Sequence, residues 1–315
     1  MDTASLDRAF LTWQARMAGA SRRLVDDPRL ARPFHGIRAP AVDIPDDEHP
    51  HATAVRRILA AAAAYRVRMS SLEFFSHTTA ALLWGLPLPH PGSADIHVSV
   101  LAPGHAARAR GVAGHQLKPD AVTLTTMSDG TPVTDPASTW ALLGVLLHHP
   151  YDLVAVADAC LYVDRIAGPH SRIVAPALAS MAELTDAVER APKRRGVVAL
   201  RDALPRVREG AASRPETWTR LTLVDGGLPE PTLNLDVYDG EGFIACVDIA
   251  YPRERVAIEY EGDQHRTDAR QWQRDIERQE RLAAAGWRTV RVTRDALFRH
   301  PGTVVARVRG ALAAR

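Results

Sequence analysis

The chain has 315 residues, 46% of them apolar and 24% charged, and 39 Lys and Arg against 37 Asp and Glu leave a net charge of only +2. That length is about twice a usual domain, and the composition excludes wholesale disorder and a membrane class. A strongly basic coat for nucleic acid is excluded too, so any such surface must come from local clustering.

Only Cys160 and Cys246 occur, in unrelated segments without CxxC or zinc spacing, which argues against a disulfide framework and points to a reducing cytoplasm. No basic leader with an apolar core opens the sequence, and no run of 18 apolar residues appears. No membrane partner is therefore expected.

Residues 1–48 read as a helical piece followed by a Pro-rich connection with an acidic cluster, which would break any helix. HATAVRRILAAAAAY is a helix rich in Ala and Leu, and a second covers Ser76 to Trp84, stopped by Gly85 and Pro87. DIHVSVLA and AVTLTTM alternate apolar and polar residues and are expected as paired strands, separated by a loop with Gly104, Gly111 and Gly114. Asp135 and Pro136 open a helix from about Ala137 to Leu147; DLVAVADACLYVDRI and Ala175 to Val188 supply two more. A boundary falls near residue 192, giving an N-terminal segment (1–48), a mixed α/β domain (49–191) and a C-terminal domain (192–315). The expected class is α/β (α+β).

The C-terminal domain carries the chemistry. LNLDVY, FIACVDI and RVAIEYE are β-type runs, with DGEG a hairpin signal between the first two. Residues two apart on a strand share a face, so Glu259 and Glu261 project to the same side and Asp248 can lie beside them. Packed carboxylates raise one another's pKa and are tolerated mainly when a cation neutralises them. An oxygen-only set suits Mg²⁺ or Mn²⁺, and a hard ion there serves phosphodiester hydrolysis. Arg266, Arg270, Arg274 and Arg278 recur every four residues and form a helical stripe that could follow a phosphate backbone or simply pair with interleaved Asp275, Glu277 and Glu280.

At these residues the sequence resembles the PD-(D/E)XK nuclease superfamily, in the branch similar to very-short-patch repair (Vsr-like) endonucleases. The pieces that carry it, in order, are SRPETWTRLTLVDGGLPEP, VDIAYP, RVAIEYEGDQH, DIERQERL and AAGWRTVRVT. The resemblance implies a restriction-endonuclease-like domain, a central mixed sheet flanked by helices. It makes Glu216 the carboxylate of the first helix, Asp248 the central metal ligand and Glu259 the second strand carboxylate. Glu261 stands where a lysine is usual, which leaves it the role of ligand or general base, with His265, Gln279 or Arg278 completing the site. Upstream, SHTTAALLWGLPLP, IHVSV and TPVTDPASTWALLG look like the AbiEi antitoxin family of type IV toxin–antitoxin systems. RRLVDDPRLARPFHGIRAP is similar to the second helix and wing of a winged helix.

The expected activity is a Mg²⁺- or Mn²⁺-dependent DNA endonuclease serving phage defence or DNA repair. Its candidate catalytic residues are Glu216, Asp248, Glu259, Glu261 and His265, with Asp248, Glu259 and Glu261 as metal ligands. DNA is the expected partner, and the resemblances admit a toxin protein and a homodimer. The alternative is a non-catalytic DNA-binding antitoxin or transcriptional regulator with a degenerate nuclease fold.

Overall fold

The computed structural model describes residues 7–261 and 269–314, with backbone alone for 269–274. The fold is mixed α/β, and contacts divide the chain into two compact units. One comprises Met1–Leu146 and Ala182–Val198, the other Leu147–Met181 and Ala199–Arg315. The division expected at residue 192 is thus not a single point. Among the described residues no helix is long and apolar enough to cross a membrane.

In the first unit, short helices Thr12–Met17 and Arg22–Val25 accompany a small sheet of Phe10–Leu11, Ile37–Pro40 and Leu30–Ala31. The Ala-rich run forms the helix Pro50–Tyr65, with Pro50 at its first turn. Asp135 caps the helix Pro136–Leu143 by accepting from the Ser138 N–H at 2.7 Å, and Trp140 on that helix is fully buried. A five-stranded sheet runs in the order Val112–Leu117, Ile96–Leu101, Glu73–Phe75, Pro132–Thr134, Leu124–Thr126.

This sheet corrects the expected pairing. Ile96–Leu101 lies parallel to Val112–Leu117 and antiparallel to Glu73–Phe75, while Leu124–Thr126 pairs with Pro132–Thr134 at the far edge. Val112–Leu117 falls inside the stretch expected as a loop. Its glycine has another purpose: a Cβ on Gly114 would lie 2.1 Å from the Ala107 carbonyl oxygen, so glycine here permits close backbone approach within a strand. The helix expected from Ala175 begins later, at Met181, because Arg172–Ala175 is a strand paired with Asp164–Ile166 in the second unit.

The second unit is built on a four-stranded sheet, Thr232–Asp239, Gly242–Tyr251, Val256–Glu261 and Arg288–Thr293 in that order. The first three strands are antiparallel and the last pair is parallel. Gly242 closes the first hairpin at φ +123, a conformation that favours glycine. Alternation along the strands gives each face a core. Ile249, Ile258, Val290 and Val292 pack with Leu223, Leu297, Val304 and Val308 from helices Arg214–Asp225, Arg294–Arg299 and Pro301–Ala313. Ala250 and Ala257 pack on the other face with Leu282 of the helix Ala269–Ala284.

The helix Pro150–Leu161 joins this unit through charge as well as packing. Asp158 is fully buried; it accepts from Thr217 Oγ1 at 2.8 Å, from the Arg208 N–H at 2.7 Å and from Arg220 Nη2 at 3.2 Å. Arg220, also fully buried, reaches Glu230 at 2.9 Å and the Arg206 carbonyl at 2.7 Å. A buried charge pair is tolerated only with its remaining hydrogen bonds satisfied, and these contacts supply most of them.

Candidate functional site

The register of the sheet brings two of the expected carboxylates together. Ile249 pairs with Ile258 and Ala250 with Ala257, so one further step sets Asp248 across from Glu259. By the period of two, Asp248 shares its face with Ala250 and Glu259 with Ala257, the face covered by the helix Ala269–Ala284. That helix holds Glu259 directly. Arg278 Nη2 donates to Glu259 Oε1 at 2.5 Å and Gln279 Nε2 to Oε2 at 2.8 Å.

Burial pushes the pKa of Asp248 up, against the opposing charge of Arg278. Glu259 is raised for the same reason; Arg278 opposes the shift and the neighbouring Asp248 adds to it. Among the described residues Asp248 accepts no hydrogen bond, and Arg278 acts on its charge through space.

Glu216 comes from the first turn of the helix Arg214–Asp225 and is buried. Ser213 Oγ donates to Glu216 Oε1 at 2.6 Å, the Ala212 N–H donates to Oε2 at 2.8 Å, and the Glu216 N–H reaches back to Ser213 Oγ at 3.4 Å. This is a reciprocal helix cap of the Ser-x-x-Glu type. Burial raises the Glu216 carboxyl to about 7; the Ser213 hydrogen bond opposes the shift and the charge of Asp248 adds to it. Glu216 therefore senses Asp248 while serving as a cap.

Glu261, two residues on from Glu259, lies 3.0 Å from Arg291 Nη1 on the parallel neighbour strand. His265 and Arg266 lie outside the described residues, as do the side chains of Arg270 and Arg274, whose backbone belongs to the helix Ala269–Ala284. Arg278, expected in the phosphate-following stripe, has its guanidinium on Glu259. Arg291 was not anticipated; its signal was its place opposite Glu259 in the parallel register.

The donor set is all oxygen, and the charge of half-buried Asp248 weighs on half-buried Glu259, so the residues fit a hard divalent cation. Among the described residues, however, the ligand atoms of these carboxylates do not gather as a group of three within 4.8 Å. Arg278 and Gln279 occupy Glu259 in this arrangement.

Residues 240–312 match the model of the restriction endonuclease-like family REase_MTES_1575. The match spans Asp248, Glu259 and Glu261 and leaves Glu216 outside. The C-terminal part of the chain thus carries a nuclease-like domain, and the mixed sheet flanked by helices is consistent with a restriction-endonuclease-like fold. The chain is also similar to two uncharacterized proteins of Mycobacterium tuberculosis, one from strain CDC 1551 / Oshkosh and one from strain ATCC 25618 / H37Rv. Each is 36% identical over 126 residues, 40% of this chain and 46% of the relative. The chain spans less than half the length of those relatives.

Proposed function

We propose that the C-terminal domain is a metal-dependent DNA endonuclease that hydrolyses phosphodiester bonds, serving phage defence or DNA repair. The observation that carries this reading is the juxtaposition of Asp248 with Glu259 across two strands, within a segment that matches a restriction endonuclease-like family. Asp248 and Glu259 would hold Mg²⁺ or Mn²⁺, with Glu261 at the edge of the set. The ion, when bound, would stabilise charge developing on the phosphate and lower the pKa of water.

The chain's own residues have separable tasks. Asp248 and Glu259 supply the negative charge. Arg278 balances Glu259 and, on this reading, would turn towards a phosphate when DNA binds. Glu216, with a pKa brought to about 7, can hold or release a proton near neutral pH.

The test is cleavage of supercoiled, linear, single-stranded and mismatched DNA by the purified chain with Mg²⁺, Mn²⁺ or EDTA, beside Asp248→Ala. Metal-dependent cutting lost in the variant is the expected result. Cutting that survives the substitution would place the activity elsewhere.

One observation favours a second reading, a non-catalytic DNA-binding regulator. Both oxygens of Glu259 are engaged by Arg278 and Gln279, and Glu261 stands in place of the superfamily's usual lysine and pairs with Arg291. On that reading the first unit, which resembles AbiEi antitoxins, would contact operator DNA or a toxin protein. DNA retained in EDTA, with no cutting of any substrate in Mg²⁺ or Mn²⁺, would select it.

A further inference from the structure

The first unit contains a cluster that the nuclease reading does not use. His77, His97 and His115 come from three separate segments, and each offers one ring nitrogen within 4.8 Å of the other two. His77 follows the strand Glu73–Phe75 and begins the helix His77–Leu83; His97 and His115 sit on the neighbouring parallel strands Ile96–Leu101 and Val112–Leu117. Ring centroids lie 4.0 Å apart for His77 and His115, 5.0 Å for His97 and His115, and 5.4 Å for His77 and His97.

The surroundings hold these rings in place. Ser76 Oγ lies 2.8 Å from His77 Nδ1 and 2.6 Å from Ser99 Oγ, so a Nδ1–H of His77 can donate to Ser76 and leave Nε2 with its lone pair. The Ser76 N–H donates to the His97 carbonyl at 3.2 Å, and the His97 N–H donates to Thr79 Oγ1 at 2.8 Å, which locks the strand to the turn carrying His77. His97 Nδ1 and His115 Nε2 approach to 2.9 Å. His77 itself has φ +49, a conformation costly for a residue with a Cβ, and such strain persists where the surroundings demand one orientation.

Burial lowers the pKa of all three imidazoles, that of His97 to about 4. The charges of His115, His97 and Arg194 act on His77 in the same direction. An imidazole that ligates a metal gives its lone pair and is then in the neutral form, so binding at such a site releases any proton held there.

We propose that His77, His97 and His115 form a binding site for a divalent transition-metal ion of the Zn²⁺ class. Imidazole nitrogens suit Zn²⁺ and discriminate against Mg²⁺, which takes oxygen ligands. Three protein ligands leave a fourth position for an exogenous donor. The ion would tie together segments 20 and 18 residues apart in sequence, counted from 77 to 97 and from 97 to 115, and so stabilise the sheet of the first unit. The proposal is independent of the nuclease reading, whose ion is hard and whose donors are carboxylates.

The experiment uses the full chain, stripped with EDTA, dialysed and titrated calorimetrically with Zn²⁺ in excess Mg²⁺, and in parallel with Co²⁺ followed by visible absorption. One Zn²⁺ per chain is expected, retained in Asp248→Ala and weakened by about 100-fold or more in His115→Gln. Ser76→Ala, which keeps all three ligands and removes only the hydroxyl beside His77, should weaken binding by roughly 10–100-fold. The proposal is overturned if the wild-type chain takes up no Zn²⁺, or if a His115→Gln protein with native circular dichroism binds it as tightly as the wild type. Should His115→Gln fail to fold, the wild-type Co²⁺ spectrum decides: an intense visible band reports a tetrahedral nitrogen-ligated ion, whereas the weak band of an all-oxygen octahedral site overturns it.

Discussion

Arg278 Nη2 donates to Glu259 Oε1 at 2.5 Å, so the positive charge that balances Glu259 comes from the protein's own helix. A cation bound as proposed by Asp248 and Glu259 would have to compete with that guanidinium. Arg278→Met should therefore tighten Mn²⁺ binding, by roughly fivefold for a partly exposed ion pair worth about 1 kcal/mol. Calorimetric Mn²⁺ titration of the two proteins checks this. If Arg278 also meets the phosphate, the same variant will bind Mn²⁺ better and cut DNA more slowly, a split that a purely structural arginine would not produce.

The buried cap residue makes folding depend on pH. Glu216 holds its proton up to about 7 in the native chain, from an ordinary value of 4.5. As pH rises through that window the unfolded chain releases its proton first, so this contribution to stability is full below pH 4.5 and is lost by pH 7. The loss is on the order of 3 kcal/mol. Glu216→Gln should remove this slope and be the more stable protein above pH 7. Urea unfolding at pH 4.5, 6 and 8 measures it, and parallel pH profiles for the two proteins would refute the assignment.

The nuclease-like half of the site was legible because its signals are local. A period of two puts Glu259 and Glu261 on one side, and DGEG fixes the hairpin whose second strand carries Asp248. The cap role of Glu216 was also written locally, as Ser213 three residues before it, although the resemblance drew attention only to its carboxylate. The histidine cluster was not legible. Its members lie far apart in sequence, and Gly111 and Gly114 made the strand carrying His115 read as a loop, when Gly114 is there because a carbonyl passes too close for a side chain. Asp158 and Arg220 are likewise 62 residues apart, and only packing reveals that each is buried against the other.

That pair sets a third expectation. Removing Asp158 leaves the buried Arg220 only the more exposed Glu230 as a counter-charge, and breaking a buried ion pair typically costs about 3–5 kcal/mol. Asp158→Ala should lower the urea midpoint of the second unit accordingly, whereas the double variant Asp158→Leu/Arg220→Met should recover much of the loss. A double variant as unstable as the single one would mean that Glu230, Thr217 and the Arg206 and Arg208 backbone need the charges for themselves.

Packing at the end of the helix Arg214–Asp225 gives a fourth. A Cβ on Gly226 would meet Val305 Cγ2 at 2.6 Å and Cγ1 at 2.7 Å, with the Thr222 carbonyl at 3.0 Å. Gly226→Ala should destabilise by about 1–3 kcal/mol, the usual cost of an overpacked core. Pairing it with Val305→Ala should restore part of that, and thermal melts of the single and double variants separate steric crowding from a change in chain entropy.

The path of the chain constrains how this protein can be dissected or inherited. Residues 147–181 belong with the C-terminal unit, while 182–198 return to the first. A fragment beginning at residue 192, the most natural cut by sequence, would retain Arg220 and discard Asp158, leaving the guanidinium only Glu230 and the Arg206 carbonyl as partners. The compact unit that carries the nuclease-like domain is therefore discontinuous in sequence. Recombination that moved residues 240–312 alone would transfer Asp248, Glu259 and Glu261 without the helix Arg214–Asp225, whose Leu223 packs in the core of their sheet.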